Sequence, residues 1–169
     1  MSVLPIRLIG DPVLRQVAMP VGAVTDQIRV LAADMIETMY DAPGRGLAAP
    51  QVGVSLRMFV MDCHWKDGVA RDPVVAIDPE IVSKSETTKL FTEGCLSMPG
   101  IPVEVERPAD ITLRWRDLEG AVHVADFTDL ASVIAQHEYD HLDGILNTDF
   151  LPDDEQARVA PALAALQTQ

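Results

Sequence analysis

The residues best suited to chemistry lie in one short stretch, QHEYDHLDG at positions 136–144. His137 and His141 are four residues apart, so that on a helix both imidazoles can reach a single metal ion. Glu138 lies beside them, where its carboxylate can take a proton from a bound water without being a ligand itself. The alternative is a pair of hydrogen-bonded structural histidines. Burying two imidazoles and a carboxylate is costly without a strong partner, which favours a metal site.

A catalytic metal site needs a third protein ligand and one position open to water. The metzincin pattern His-Glu-x-x-His-x-x-Gly-x-x-His is matched as far as Gly144, but Asn147 stands in place of its last histidine. The sequence therefore disfavours a metzincin-type endopeptidase. His64 and His123 lie in strand-like surroundings without a local metal-binding pattern, and we expect both to be ordinary exposed or packed histidines.

The two cysteines differ in their surroundings. Cys95 follows Gly94 in FTEGCLSMPG (91–100), where glycine lets the backbone come close to a ligand. We predict that its thiolate is the third ligand. Cys63 ends the strand-like run FVMDC (59–63), which indicates a buried and unreactive thiol. A disulfide between the two would be unusual in a cytosolic chain.

Two helices are predicted around these residues. The first begins after the N-cap Thr25 and carries an apolar stripe, at three- and four-residue steps, until Pro43. The second runs from an N-cap near Asp129 to Leu142, and Gly144 can end it. Its apolar positions continue in helical steps into the two histidines and the glutamate. We therefore predict that these three polar side chains lie on the buried face of the second helix.

Between the helices the sequence changes to short β-type runs separated by Pro, Gly and Asp. They are LRMFVMD (56–62), VVAIDPEIV (74–82), VEVER (103–107) and the hairpin ITLRWRDLEGAVHVADF (111–127). Strands grouped between two helices, rather than alternating with them, favour an α+β fold over a parallel doubly wound sheet. We predict antiparallel or mixed β-sheets packed around a central helix that carries the His-Glu-x-x-His motif, in a single domain spanning 1–169.

Composition limits the classes of function. The chain is 48% apolar and 23% charged without a run of about 18 apolar residues, so we expect neither a membrane span nor a membrane partner. The net charge of −13 disfavours broad contact with nucleic-acid phosphates. The N-terminal residues do not have the pattern of a signal peptide, and we expect a cytoplasmic protein.

Three ordered motifs resemble the signatures of the peptide deformylase family. They are GRGLAAPQ (44–51), EGCLS (93–97) and QHEYDH (136–141), and the similarity extends from about residue 6 to about residue 151. The resemblance implies a mononuclear metal hydrolase that removes the formyl group from the N-terminal formylmethionine of nascent polypeptides. The N-formylated peptide would be its partner, and we expect a monomer.

The resemblance also implies how the metal is held. Cys95, His137 and His141 would be its ligands, with water in the fourth position. Glu138 would act as general base toward that water and then as general acid toward the leaving amine. In this family the ion is generally Fe(II), and Ni or Zn can occupy the site. A mixed Cys/His set does not choose among these ions.

Further residues receive a role only through the resemblance. The side-chain amide of Gln51 and the backbone N–H of Leu96 would donate hydrogen bonds to the oxyanion. The substrate site would be lined by Arg45, Gly46, Glu93 and Gly94. The small residues of GRGLAAPQ would also allow a peptide to approach the backbone and pair with a strand edge.

Three features depart from the usual pattern of the family. Arg45 stands where an aliphatic residue commonly borders the methionine pocket, and Asn147 and Phe150 replace an aromatic residue and an arginine. The segment from Pro152 onward contains three acids and one base. We therefore do not expect this segment to dock on ribosomal RNA as a basic tail would, and we expect only transient proximity to the ribosome.

These departures leave two alternatives to an ordinary deformylase. The first is a divergent amidase with an altered substrate pocket, in which Arg45 pairs with an acidic or otherwise polar acylated molecule. The second is a metal-binding or peptide-binding paralogue without catalysis. Retention of Glu138 argues against the second, because a purely structural metal site needs no base beside the ion.

Overall fold

The computed structural model describes residues 1–168, which form three α-helices and seven β-strands. In chain order these are α1 (Asp26–Asp41), β1 (Gly46–Ala48), β2 (Met58–Met61), β3 (Val74–Lys84), β4 (Thr88–Cys95), β5 (Met98–Pro108), β6 (Asp110–Arg116), β7 (Val122–Thr128), α2 (Asp129–Leu142) and α3 (Asp153–Gln167). The predicted α+β class is confirmed. Within residues 1–168, no helix is both long and apolar enough to cross a bilayer.

The strands form two sheets in which neighbouring strands run antiparallel. Five strands are arranged in the order β1-β2-β3-β6-β7, and β4 pairs with β5 in a separate two-stranded sheet. The predicted hairpin is confirmed as β6 and β7, with Trp115 opposite His123 and Ile111 opposite Phe127. Its alternation directs Ile111, Leu113 and Trp115 into the core, as expected for a hairpin with one buried face.

Strand β2 lies at the centre of the packing because it is buried on both faces. Phe59 and Met61 belong to the hydrophobic cluster that contains Ile134 and Leu142 of α2. Met58 and Val60 belong to a second cluster, formed with α1. The two helices therefore cover opposite faces of the same sheet, and this explains why β2 is a continuous apolar run rather than an alternating one.

The helix boundaries follow the predicted caps closely. The Thr25 hydroxyl accepts a hydrogen bond from the Ile28 N–H at 3.3 Å, so Thr25 is the N-cap of α1 as predicted. The N-cap of α2 is Thr128, one residue before the predicted Asp129, which is instead the first helical residue. Asp129 has φ of 48°, in the left-handed region, so the chain enters α2 through a sharp change of direction.

The turn after α2 requires glycine. Gly144 has φ of 72°, and a Cβ built there would lie 2.6 Å from the backbone oxygen of Arg15. The Arg15 guanidinium donates hydrogen bonds to the Gly144 oxygen at 3.1 Å and to the Asp149 carboxylate at 2.7 and 3.0 Å. The N-terminal segment thereby fixes the chain that leaves α2, and the predicted end of the helix at Gly144 is confirmed.

Helix α3 was not among the predicted elements, because its sequence gives a weak apolar pattern and contains Pro161. Val159 packs with Val103 and Val105 of β5 in a small cluster, which Leu163 joins from the same helix. The C-terminal segment is therefore packed against the body of the protein.

Asn147 is buried without an internal partner. It is 2% exposed, and neither polar atom of its amide has a hydrogen bond with any residue in 1–168. Burying an unpaired amide costs about 1–3 kcal/mol. We expect Asn147→Leu to raise the free energy of unfolding by about this amount, measured by urea denaturation.

Asn147→Asp serves as the opposing control, because it places a charge of similar shape at the same buried position and should lower the stability. A lower stability of Asn147→Leu would contradict the prediction, and it would indicate that an internal water satisfies the amide in solution.

Candidate metal centre and substrate pocket

The face of α2 that carries the motif is buried, as the sequence predicted. His137, Glu138 and His141 are 8%, 3% and 1% exposed, and they continue the apolar surface that begins at Val133. Cys95 ends β4 and is 7% exposed. Helix α2 and the end of β4 thus bring one thiol and two imidazoles to the same point.

The ligating atoms of these three residues converge. The Cys95 Sγ lies 3.5 Å from the His141 Nε2, which in turn lies 3.2 Å from the His137 Nε2. The ligating atoms lie within 4.8 Å of one another, and this is the one such group of three or more found among residues 1–168. Two imidazoles and one thiolate are a donor set for Zn, Fe or Ni.

The electrostatics of the group also fit a cation. Burial lowers the pKa of His137, but the Glu138 charge and the hydrogen bonds to Cys95 and Glu93 outweigh it, and the net pKa is raised. Positive charge is therefore stabilised at this point. Burial and the neighbouring His137 lower the pKa of His141, which keeps that ring neutral and able to ligate.

A second layer of side chains orients His137. Its Nδ1 lies 2.9 Å from the Glu93 Oε1, so the other ring nitrogen, Nε2, faces the ligand group. Arg107 bonds Glu93 through two of its nitrogens and Asp140 at 2.8 Å. Glu93, which the resemblance assigned to the substrate site, borders the cavity but directs its carboxylate to His137 and Arg107.

Arg107 was missed as a functional residue, although a signal was present. It is 4% exposed and follows Val103 and Val105 at two-residue steps on the buried side of β5. An arginine at a position that alternation marks as buried indicates a partner of opposite charge.

We expect Arg107→Leu to destabilise the protein by about 3–5 kcal/mol, because it leaves the buried Glu93 and the partly buried Asp140 without their cation. It should also weaken metal binding by about 10–100-fold through the loss of support for His137. Urea unfolding and metal titration measure the two effects. Arg114→Leu is the control, since Arg114 is exposed and lies 3.9 Å from Glu80. Equal stability of the two variants would contradict this prediction.

Glu138 is close to the ligand group but outside it. Its Oε1 is buried and has no hydrogen-bond partner among residues 1–168. Burial raises the pKa of its carboxyl to about 7. A Cβ at Gly46 would lie 2.7 Å from the Glu138 Oε2, so the glycine leaves room beside the carboxylate. The arrangement provides a carboxylate able to accept and release a proton near neutral pH.

Gln51 lies on the other side of the thiol. Its Oε1 accepts a hydrogen bond from the Ala48 N–H at 3.0 Å, which fixes the orientation of the amide. Its Nε2 donates to the Ser97 hydroxyl at 3.1 Å and lies 3.7 Å from the Cys95 Sγ. Ser97 was not singled out from the sequence. Leu96, between Cys95 and Ser97, borders the same cavity.

A cavity of about 580 Å³ opens above these residues. Gly46 of β1 and Gly94 of β4 border it together with His137 and Glu138, so the edge strand of the large sheet and a strand of the small sheet meet at the site. Helix α2 supplies an apolar wall formed by Leu130, Val133 and Ile134. This shape suits an extended peptide with an apolar side chain.

Arg45 borders the cavity, but its charge is already paired. Its guanidinium donates to the Asp67 carboxylate at 3.2 and 3.3 Å and to the backbone oxygen of Cys63. Cys63 is half-buried rather than buried as predicted, but burial still raises the pKa of its thiol to about 11, in keeping with the unreactive thiol that was predicted.

The two remaining histidines lie outside the ligand group. His64 is exposed and lies 3.2 Å from Asp67, and His123 is 2.7 Å from Asp117 and stacks on Trp115. Both have the ordinary packed or exposed surroundings that the sequence predicted.

Comparison with known proteins agrees with the site. The family model described as polypeptide deformylase matches residues 3–157. The chain is 50% identical over 159 residues to a peptide deformylase of Afipia carboxidovorans, covering 94% of this chain and 92% of the relative. It is 47% identical over 151 residues to a peptide deformylase of Rhizobium meliloti, covering 89% of this chain and 86% of the relative.

Solved structures give the same result. A crystal structure of a peptide deformylase from Legionella pneumophila has a TM-score of 0.91 at 36% identity, covering 99% of this chain and 96% of that one. A crystal structure of the peptide deformylase from Thermotoga maritima has a TM-score of 0.84 at 41% identity, covering 90% of this chain and 99% of that one. The hypothesis of a divergent member is therefore wrong, because the similarity in sequence and fold extends over nearly the whole chain. The chain belongs to the polypeptide deformylase family.

Proposed function

We propose that this site hydrolyses the N-terminal formyl amide of formylmethionyl polypeptides. The observation that supports it most is the buried Cys95, His137 and His141 group beside the unpaired carboxylate of Glu138, at the base of a peptide-sized cavity. We further propose that residues 1–169 act as one catalytic domain.

In this proposal Cys95, His137 and His141 hold one divalent ion. When bound, the ion polarises the formyl carbonyl and lowers the pKa of the attacking water. We propose Fe(II) as the native ion, with Ni or Zn able to replace it, because imidazole and thiolate ligands accept all three. The hydrogen bond between Glu93 and His137 keeps the ligating nitrogen in place.

Glu138 carries the proton. Its carboxylate takes a proton from the attacking water and then delivers it to the amine that leaves as the C–N bond breaks. A pKa of about 7 suits both steps, since the carboxylate is neither too weak a base nor too weak an acid near neutral pH. The space beside Gly46 lets the substrate come close to this carboxylate.

Gln51 and Leu96 stabilise the oxyanion that forms at the formyl carbon. The Gln51 amide is fixed through Ala48, and its Nε2, which lies 3.1 Å from the Ser97 hydroxyl and 3.7 Å from the Cys95 Sγ, is at the border of the cavity. The backbone N–H of Leu96, in the turn between β4 and β5, is the second donor. Donors fixed before the reaction lower the barrier because they need not reorganise as charge develops.

The peptide lies between β1 and β4, with its methionine side chain against the apolar wall of α2. Gly46 and Gly94 allow its backbone to approach the two strands. The pairing of Arg45 with Asp67 leaves its guanidinium without a free charge for the substrate, which favours formylmethionine over an acidic acylated molecule.

The test is the deformylation of formyl-Met-Ala-Ser by protein purified without oxygen and loaded with Fe(II) or Ni(II). The free amine is measured together with the metal content of the same sample. We expect turnover with about one metal ion per chain. A fully metallated protein without turnover would overturn the proposed function and support a binding role instead.

We also propose a cytoplasmic monomer with at most transient proximity to the ribosome. The first turn of α3 contains Asp153, Asp154 and Glu155, a charge unsuited to contact with RNA phosphates. The large apolar side chains of α3, Val159, Leu163 and Leu166, pack against the body of the protein, which leaves them unavailable to a partner. Sedimentation of the pure protein at several concentrations tests the monomer.

A further inference from the structure

One part of the cavity rim is a short 3-10 turn, Trp65–Asp67, that belongs to neither sheet. Lys66, in the middle of this turn, borders the same cavity as His137 and Glu138. Lys66 is exposed whereas those two residues are buried. The ammonium group therefore belongs to the mouth of the cavity, away from the reacting atoms at its base.

The turn is fixed to the wall of the cavity on both sides of Lys66. The Trp65 indole N–H donates a hydrogen bond to the Gly44 oxygen at 2.9 Å, and its ring packs edge-on against Tyr40 at 5.1 Å. On the other side, the Asp67 carboxylate accepts two hydrogen bonds from Arg45. Because both neighbours are held, the backbone of Lys66 is positioned before any substrate arrives.

The charges around the mouth do not cancel. Arg45 and Asp67 neutralise each other, whereas the Lys66 ammonium forms no ion pair with a carboxylate of residues 1–168 and lies 5.8 Å from the centre of the Trp65 ring. The acidic groups of the cavity, Glu93 and Glu138, are buried at its base. The mouth thus presents a positive charge that no carboxylate neutralises, in a chain whose net charge is −13.

We propose that Lys66 gives the enzyme a preference for formylated peptides that carry a carboxylate in the residues following the N-terminal methionine. The preference rests on the proposed deformylase activity, since it concerns the part of the same substrate that emerges from the cavity. The carboxylate comes either from an Asp or Glu side chain or from the free C-terminus of a short peptide.

The experiment compares kcat/KM for pairs of peptides that differ in one charge. Formyl-Met-Asp-Ala-amide is compared with formyl-Met-Asn-Ala-amide, and formyl-Met-Ala-Asp-amide with formyl-Met-Ala-Asn-amide. A third pair, formyl-Met-Asn-Ala with and without C-terminal amidation, tests the free C-terminus. We expect the carboxylate to raise kcat/KM by about threefold to fivefold in at least one pair at low salt, as for an exposed ion pair.

Two variants of Lys66 assign the effect. In the pair that shows the preference, Lys66→Gln should lower the ratio of kcat/KM for the charged peptide to kcat/KM for the neutral peptide to about one. In Lys66→Glu the neutral peptide should become the better substrate by a similar factor. Lys84→Gln is the control, since it removes the same charge from an exposed position on β3, a strand that does not line the cavity. The charged-to-neutral ratio of kcat/KM in Lys84→Gln should equal that of the wild type. Added salt should reduce this ratio in both proteins.

The proposal is overturned if the wild-type ratio is about one in all three pairs, or if Lys66→Gln keeps the wild-type ratio. Formyl-Met-Ala-Ser separates this failure from a failure of the proposed function. Turnover of that peptide without a charge preference overturns only the role of Lys66, whereas absence of turnover of every formyl-Met peptide overturns both.

Discussion

Glu138→Gln is expected to lower kcat for formyl-Met-Ala-Ser by about 10²–10⁴-fold while the metal content stays unchanged. Glutamine has the shape of the glutamate but cannot accept the proton of the attacking water. Because Glu138 lies outside the group of converging ligand atoms, its replacement leaves Cys95, His137 and His141 in place. Steady-state kinetics and metal analysis on one preparation test both parts of the prediction.

The matched control is Glu86→Gln, the same chemical change at an exposed position between β3 and β4. It should keep wild-type kcat and metal content. Near-normal activity of Glu138→Gln would show that another group carries the proton. Loss of the metal from Glu138→Gln would show that its carboxylate contributes to metal binding.

Cys95→Ala is expected to lose the metal and the activity together. Loss of a group that only supports a ligand weakens metal binding by about 10–100-fold, and loss of a ligand should weaken it by more. The remaining His137 and His141 also lose the negative charge that stabilises a cation between them. Competition with a chelator of known affinity measures the change in metal affinity without relying on turnover.

Cys63→Ala is the control for the thiol. Cys63 is half-buried, and its thiol is outside the ligand group found among the described residues. This variant should bind metal as the wild type does. One metal ion per chain in Cys95→Ala, at unchanged affinity, would exclude Cys95 as a ligand and would require another donor beside His137.

The parts of the site that the sequence predicted are those that depend on local periodicity. Helical steps from Val133 to His141 correctly placed three polar residues on the buried face of α2. Cys95 was selected because a catalytic metal needs a third ligand and because Gly94 precedes this cysteine. The first inference concerns a property that the helix has before it contacts the rest of the chain, whereas the second uses the number of ligands that a catalytic metal needs.

The parts that were missed depend on contacts between distant segments. The bonds from Arg107 to Glu93 and Asp140 join β5, β4 and α2, and none of the three sequences alone indicates this arrangement. The pairing of Arg45 with Asp67 likewise joins residues that lie 22 positions apart. Which charges pair depends on the segments that the tertiary structure brings together. A charged residue in a motif can therefore be recognised from the sequence, whereas its partner cannot.

The strands of the small sheet were harder to predict than those of the large one. β4 begins with Thr88 and Lys89, exposed and polar, and β5 contains Pro99, Gly100 and Pro102. Proline and glycine normally argue against a strand interior. They are tolerated here because they lie between Met98 and Val103, at the register shift where the pairing of β5 with β4 is interrupted.

The position of β2 between two helices has a consequence for the order of events during synthesis. α1 and β2 leave the ribosome early, but the helix that covers Phe59 and Met61 begins only at residue 129. Until then one face of the nascent sheet remains open to solvent and prone to association. Both histidines of the metal centre belong to that late helix, so the polypeptide can acquire its ion only after most of its length has been translated.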